Sequence, residues 1–93
     1  MIKKDEFEKD MATIDQNLRQ LTVLYEDYFA LKIYREPKEL RAQTEALIQK
    51  WRVKPVVRAA SRFKLQNLIQ RYNAFKEKWD RQLRIKEKEE REW

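Results

Sequence analysis

A chain of 93 residues has room for one small domain, and a chain of that size buries only about 60% of its unfolded surface. It holds no Cys and no His, which excludes thiol nucleophiles, imidazole bases, disulfides, and zinc or haem ligation through those side chains. It is 41% charged with a net charge of +6 and carries no glycine, where an average sequence of this length has about six or seven. Pro37 and Pro55 are the only strong breakers, so the composition predicts an all-α fold of long helices with little loop between them.

The first segment is predicted as a helix over about 5–34. Phe7, Met11, Ile14, Leu18, Leu21, Tyr25 and Tyr28 step by 4, 3, 4, 3, 4, 3, an unbroken coiled-coil-like seam. Asp5, with Glu8 three residues later, fits an N-cap and its capping-box partner. At about 1.5 Å per residue the helix would be roughly 45 Å long. Leu24, Phe29, Leu31 and Ile33 widen the apolar face of its second half, which implies contact with more than one neighbour.

The second helix is predicted over 37–52. Pro37 suits a first helical turn, where its missing N–H costs nothing, and Leu40, Leu47, Ile48 and Trp51 form the apolar face. Arg35 is read as the helix end or the turn, so a tight, antiparallel connection is expected. The third helix is predicted over 55–91, with Ser61 as a later alternative start. Val53 to Val57 can be extended, because Lys54 precedes a proline. Leu65, Leu68, Tyr72, Phe75 and Trp79 step by 3, 4, 3, 4, and the seam weakens after that: Gln82 takes the next position with Leu83 beside it. No stop signal ends the helix before Trp93, the pattern of a fraying end, of a natural short protein or of a module cut from a longer one.

A second helix of about 15 residues cannot cover a third of more than 30. In an up-down-up arrangement the far half of the third helix, with Tyr72, Phe75, Trp79 and Leu83, is then expected to be exposed. Exposed aromatic stripes mark interfaces. The expected partner is a second copy in a symmetric dimer, or another protein, through Leu65, Leu68, Tyr72, Phe75, Trp79 and Leu83, with Trp79 as the anchor. Trp51 is expected to cap one end of the bundle. Tyr25, Tyr28, Phe29 and Tyr34 are read as core rather than as a stacking platform, and Asn67, Asn73, Gln66 and Gln70 as surface amides.

The charge is unevenly placed. Residues 46–76 hold eight cations (Lys50, Arg52, Lys54, Arg58, Arg62, Lys64, Arg71 and Lys76) and no carboxylate, while residues 1–45 carry a net charge of −2 and residues 77–93 balance. Lys54, Arg58, Arg62 and Lys64 form a candidate anion-binding ridge, Arg58 and Arg62 sharing one helix face. The plain alternative is a solvated face, or cations paired across the bundle with Asp10, Asp15, Glu26 or Asp27. The chain shows no recognised nucleic-acid motif, no phosphate loop, nucleophile motif or cofactor fingerprint. Its adjacent carboxylates, such as Glu26-Asp27 and Glu89-Glu90, point to different faces.

The strings LYEDYFALKIYREP (24–37) and RFKLQNLIQRYNAFKEKW (62–79) resemble helical segments of longer bacterial proteins of unassigned function. The resemblance implies a helical module beside other domains and carries over no functional residue. No stretch approaches the roughly 20 apolar residues of a membrane span, and MIKKDEFEKD lacks the apolar core of a signal peptide. The expectation is a single cytoplasmic module over 1–93, without cofactor or catalysis, that acts by protein interaction or oligomerisation. The alternative is polyanion binding, to nucleic acid or another phosphate ligand, through the basic 50–64 stretch.

Overall fold

The computed structural model describes residues 4–91, with side chains from Glu6 onward, and contains three helices in that range: α1 Lys4–Phe29, α2 Lys38–Arg52 and α3 Ala59–Arg91. The all-α, three-helix architecture is the one the periodicity predicts. α1 already includes Lys4, so Asp5 stands within the helix rather than ahead of it; its side chain lies outside the described residues.

Two helix bounds differ from the sequence expectation. α1 ends at Phe29 instead of Tyr34, because Leu31 turns into the left-handed region with φ of 63°. The Leu31 N–H donates to the Tyr28 carbonyl at 3.2 Å and the Lys32 N–H to the Asp27 carbonyl at 2.8 Å, the paired bonds of a Schellman cap. Glycine normally takes that position; a chain without glycine places a leucine there. The connection to α2 is therefore the eight residues 30–37 and not a tight turn. α3 begins at Ala59, not Pro55. The Lys54–Pro55 step holds the chain out of helical geometry, and the first helical turn closes only where the Arg62 N–H reaches the Arg58 carbonyl at 3.0 Å. Pro37 sits just before α2 as its N-cap residue, its carbonyl accepting from the Arg41 N–H at 3.2 Å.

α1 is the shared wall of the bundle. Trp51 packs edge-on to Phe7 with ring centroids 5.1 Å apart, and at the other end of α2 Arg41 reaches Tyr25, so α2 runs antiparallel to α1. α3 runs parallel to α1: Lys64 meets Glu8, Arg71 meets Asp15, and Trp79 stacks on Tyr25 at 4.4 Å. This register overturns the expected exposure of the third helix. Leu65, Leu68, Tyr72 and Trp79 are 2–7% exposed, and Phe75 and Leu83 pack half-buried on the same core. The sequence reading matched α3 against the short α2; the structure lays it along the 26-residue α1, which is long enough to cover the stripe. What extends past the end of α1 is the charged 86–91 stretch. Trp79 is thus a core residue, stacked between Tyr25 and Phe75 (5.6 Å). Trp51 is wholly buried at the opposite end, as expected of a bundle cap.

α2 carries a polar residue where its seam meets both other helices. Arg41, Thr44, Ile48 and Trp51 step by 3, 4, 3. Thr44 is fully buried with its hydroxyl bonded to the Leu40 carbonyl at 2.8 Å. The Arg41 side chain, 14% exposed, donates to the Tyr25 hydroxyl of α1 (3.2 Å) and, on α3, to the Tyr72 hydroxyl (3.4 Å) and the Asp80 carboxylate (2.7 Å). Its guanidinium lies 5.9 Å from the ring centres of both Tyr25 and Trp79. The tyrosines complete the network by donating outward, Tyr25 to Glu36 at 2.8 Å and Tyr72 to Glu45. Burial opposes the charge on Arg41, but its hydrogen bonds to Tyr25, Asp80 and Tyr72 raise its pKa above the ordinary value.

Two substitutions test these features. Leu31→Gly relieves a left-handed leucine, worth about 1–2 kcal/mol, against a glycine entropy cost of about 0.5–1 kcal/mol. A net gain of about 0.5–1 kcal/mol is expected, seen as a melting temperature a few degrees higher; no gain would mean that Leu31 is unstrained. Arg41→Met keeps the side chain's bulk but removes every polar contact of the network. A loss of about 1–3 kcal/mol in urea unfolding is expected, whereas Arg35→Met, on the exposed loop, should stay within about 0.5 kcal/mol.

Candidate interaction surface

The basic stretch gathers at the end of the bundle where α1 begins, α2 ends and α3 starts. Pro55 forces residues 53–58 out of helix, and the short irregular segment packs Val56 against the core but leaves Val53 and Val57 outside it. Val53 is 71% exposed and Val57 87%, and one turn into α3 Phe63 is 74% exposed. These three large apolar residues stand among Arg52, Lys54, Arg58, Arg62 and Lys64. A groove of about 710 Å³ opens between the start of α1 and this segment, lined by Phe7 and Trp51 at its base, Pro55, Val56 and Val57 on one wall, and Lys54 and Arg58 beside them; Glu6, Glu8 and Ser61 complete it.

The base of the groove is held by one carboxylate. Asp10 Oδ2 accepts from Trp51 Nε1 at 2.8 Å and from Lys50 Nζ at 2.7 Å. Lys50 also pairs with Glu6 at 2.7 Å, and Lys54 Nζ lies 4.9 Å from the centre of the Trp51 ring. Burial pushes the Asp10 carboxyl up, yet the hydrogen bonds from Lys50 and Trp51 outweigh it and hold the pKa below its ordinary 3.8. Glu6 is lowered by the hydrogen bond and charge of Lys50. Further along, the Arg71 hydrogen bond lowers Asp15 against the cost of burial.

Cations of the basic stretch fall into two groups. Lys50, Lys64 and Arg71 pair with carboxylates of α1, at Glu6 and Asp10, Glu8, and Asp15 respectively. Among the described residues Arg52, Lys54, Arg58, Arg62 and Lys76 make no ion pair. Of the predicted ridge, Lys64 is thus engaged with Glu8 at 3.1 Å, and Lys54 leans on Trp51. Arg58 precedes α3 instead of sharing its face with Arg62. The first turn of α3 holds no acidic residue, so nothing within that turn offsets the two arginines. Asn67, Asn73, Gln66 and Gln70 are exposed.

Sequence reasoning missed two features of this molecule. The sequence reading gives Arg41 no role, although its 3, 4, 3 spacing to Thr44, Ile48 and Trp51 places it on the seam. The exposed Val57 and Phe63 carried no periodic signal, because they flank a helix start. Among the described residues no group of three or more His, Cys, Asp or Glu side chains is placed to hold a metal ion, and no helix is long and apolar enough to cross a membrane. No protein-family model matches the chain, no curated protein is significantly similar to it, and no solved structure matches its fold.

These pKa shifts link stability to pH at both extremes. Glu6, Asp10 and Asp15 have depressed folded values, so the unfolded chain binds more protons in acid. Their contribution is complete above the ordinary 4.5 of Glu and 3.8 of Asp, and is lost as pH falls through the folded values. The Tyr25 hydroxyl is pushed up from 10.0 to about 12, by burial first and by Glu36, with Arg41 opposing. Its contribution is complete below pH 10 and is lost as pH rises through about 12. Urea midpoints should form a plateau between these limits. Asp10→Asn should lower the plateau and flatten its acid edge; an unaltered acid edge would remove Asp10 from the linkage.

Proposed function

We propose that this chain is a non-enzymatic protein-interaction module: a self-contained helical bundle that presents its contact surface at one end. The observation that supports the reading is the placement of Val53, Val57 and Phe63, each more than 70% exposed, on and just after a short segment that begins beside the buried Phe7–Trp51 pair, which Asp10 anchors through Trp51. Exposed apolar clusters with a charged rim are the usual mark of a binding surface. The aromatic seam of α3, the expected means of dimerisation, is occupied by α1 of the same chain, which moves the contact surface to the end of the bundle. The second reading, polyanion binding through Lys54, Arg58, Arg62 and Lys64, is favoured by Arg58 and Arg62, which make no ion pair among the described residues. The Lys64–Glu8 pair and the Glu6 and Glu8 carboxylates on the groove wall count against it.

Site-specific photo-crosslinking in cells of the source organism separates the readings. A photo-reactive residue at position 57 or 63 should give protein adducts; one at the exposed Ala74, about three turns beyond Phe63, should not. An adduct at twice the chain's mass would assign the surface to self-assembly. Nucleic-acid adducts at 57 and 63 would establish the polyanion reading, and equal yields at 57, 63 and 74 would overturn a localised surface.

A further inference from the structure

We infer that the groove at this end is a docking site for an acidic amphipathic segment of a partner protein, whose apolar side chains fill the space between Trp51 and Val57 while its carboxylates meet Lys54, Arg58 and Arg62. The inference rests on the interaction-module reading and specifies the chemistry of the partner.

The groove has an apolar interior and a cationic edge. Phe7, Trp51, Pro55, Val56 and Val57 supply the interior. The carboxylates that reach the groove are already engaged, Glu6 with Lys50 at 2.7 Å and Glu8 with Lys64 at 3.1 Å. Lys54 and Arg58 on the wall therefore line the opening without an ion-pair partner among the described residues, and the exposed Arg62 follows one turn into α3, beyond the groove lining. Such a site favours carboxylates carried on an apolar scaffold and discriminates against a basic or purely polar one.

The same charges argue against a second copy as occupant. A two-fold contact uses the same patch on both copies; it would bring the Lys54, Arg58 and Arg62 cluster up to the same cluster of the second copy, and like charges close together oppose association. A phosphate polymer would leave Val57 and Phe63 without apolar partners. A peptide segment with alternating apolar and acidic side chains meets both parts of the surface at once, in the manner of a helix or strand laid into a groove.

The test is a selection of short random peptides displayed on phage, run against the whole chain at physiological salt. The Val57→Asp/Arg58→Glu double variant serves as the counter-target, after circular dichroism has shown it to be as helical as the parent. The expected result is an enriched set rich in Asp or Glu interleaved with Leu, Ile, Phe or Trp. A synthetic member of that set should shift amide signals of residues 6–10 and 51–63 in NMR spectra of the chain. Its affinity should fall at least about tenfold on Phe63→Asp or on Arg58→Glu alone. Enriched peptides that are basic or neutral, or that map to another face, would overturn the acidic-partner assignment and leave the interaction-module reading standing. Absence of enrichment over the counter-target would overturn this docking site. Binding of phosphatidylserine vesicles or a single-stranded oligonucleotide, lost in the double variant while no peptide is enriched, would overturn both readings.

Discussion

The arrangement of the three helices depends on a guanidinium buried where apolar packing would be expected. Arg41 occupies the first place of the α2 seam and binds a hydroxyl of α1 together with a hydroxyl and a carboxylate of α3. A buried cation is costly unless its donors are satisfied, and satisfying this one requires Tyr25, Tyr72 and Asp80 to converge at fixed distances. A sliding of α3 along α1 by one turn would carry Tyr72 and Asp80 away from Arg41. The network therefore specifies register, a role that apolar seams alone fill poorly. It also explains why α2 and α3 meet through long polar side chains while each packs its apolar face on α1.

With α1 serving both neighbours, its seven seam positions from Phe7 to Tyr28 are all committed inside the chain. The aromatic half of α3 is covered because α3 runs parallel to α1 with Lys64 beside Glu8 and Trp79 beside Tyr25. The most exposed large apolar residues, each above 70%, are then Leu31 and Tyr34 in the first connection and Val53, Val57 and Phe63 around the second, while Val23 on α1 and Ile85 on α3 are about half exposed. The absence of glycine has a visible consequence at the first of these, where the Schellman cap falls on Leu31.

The basic stretch illustrates how one charge pattern divides between structure and surface. Lys50, Lys64 and Arg71 neutralise the acidic face of α1, which is the plain alternative raised by the sequence. They pair with Asp10 and Asp15, as that alternative allows, and with Glu6 and Glu8. Arg58 and Arg62 have no such partner among the described residues and stand beside exposed Val57 and Phe63. The division follows from position: cations within reach of α1 carboxylates are used in packing, and those displaced by the Pro55 break are carried outward. The surface this leaves combines apolar area with positive charge, and it is on this combination that the proposed acidic partner rests.

By itself the sequence determined the all-α class, the three helices, and the identity of most of the core. Heptad spacing is a local property that survives any arrangement of the helices, so Phe7 to Tyr25 and Leu65 to Trp79 were legible as apolar seams. The boundaries at Phe29 and Ala59 were less so, since they follow from a left-handed leucine and a delayed helix start that no glycine marks. Which helix covers which was decided only by the tertiary structure. The spacing of Leu65, Leu68, Tyr72 and Trp79 is the same whether a second copy or α1 lies against it. The direction and register of α3 are those at which Arg41 reaches Tyr25, Tyr72 and Asp80, groups far apart in sequence whose hydrogen bonds exist only once the three helices are assembled.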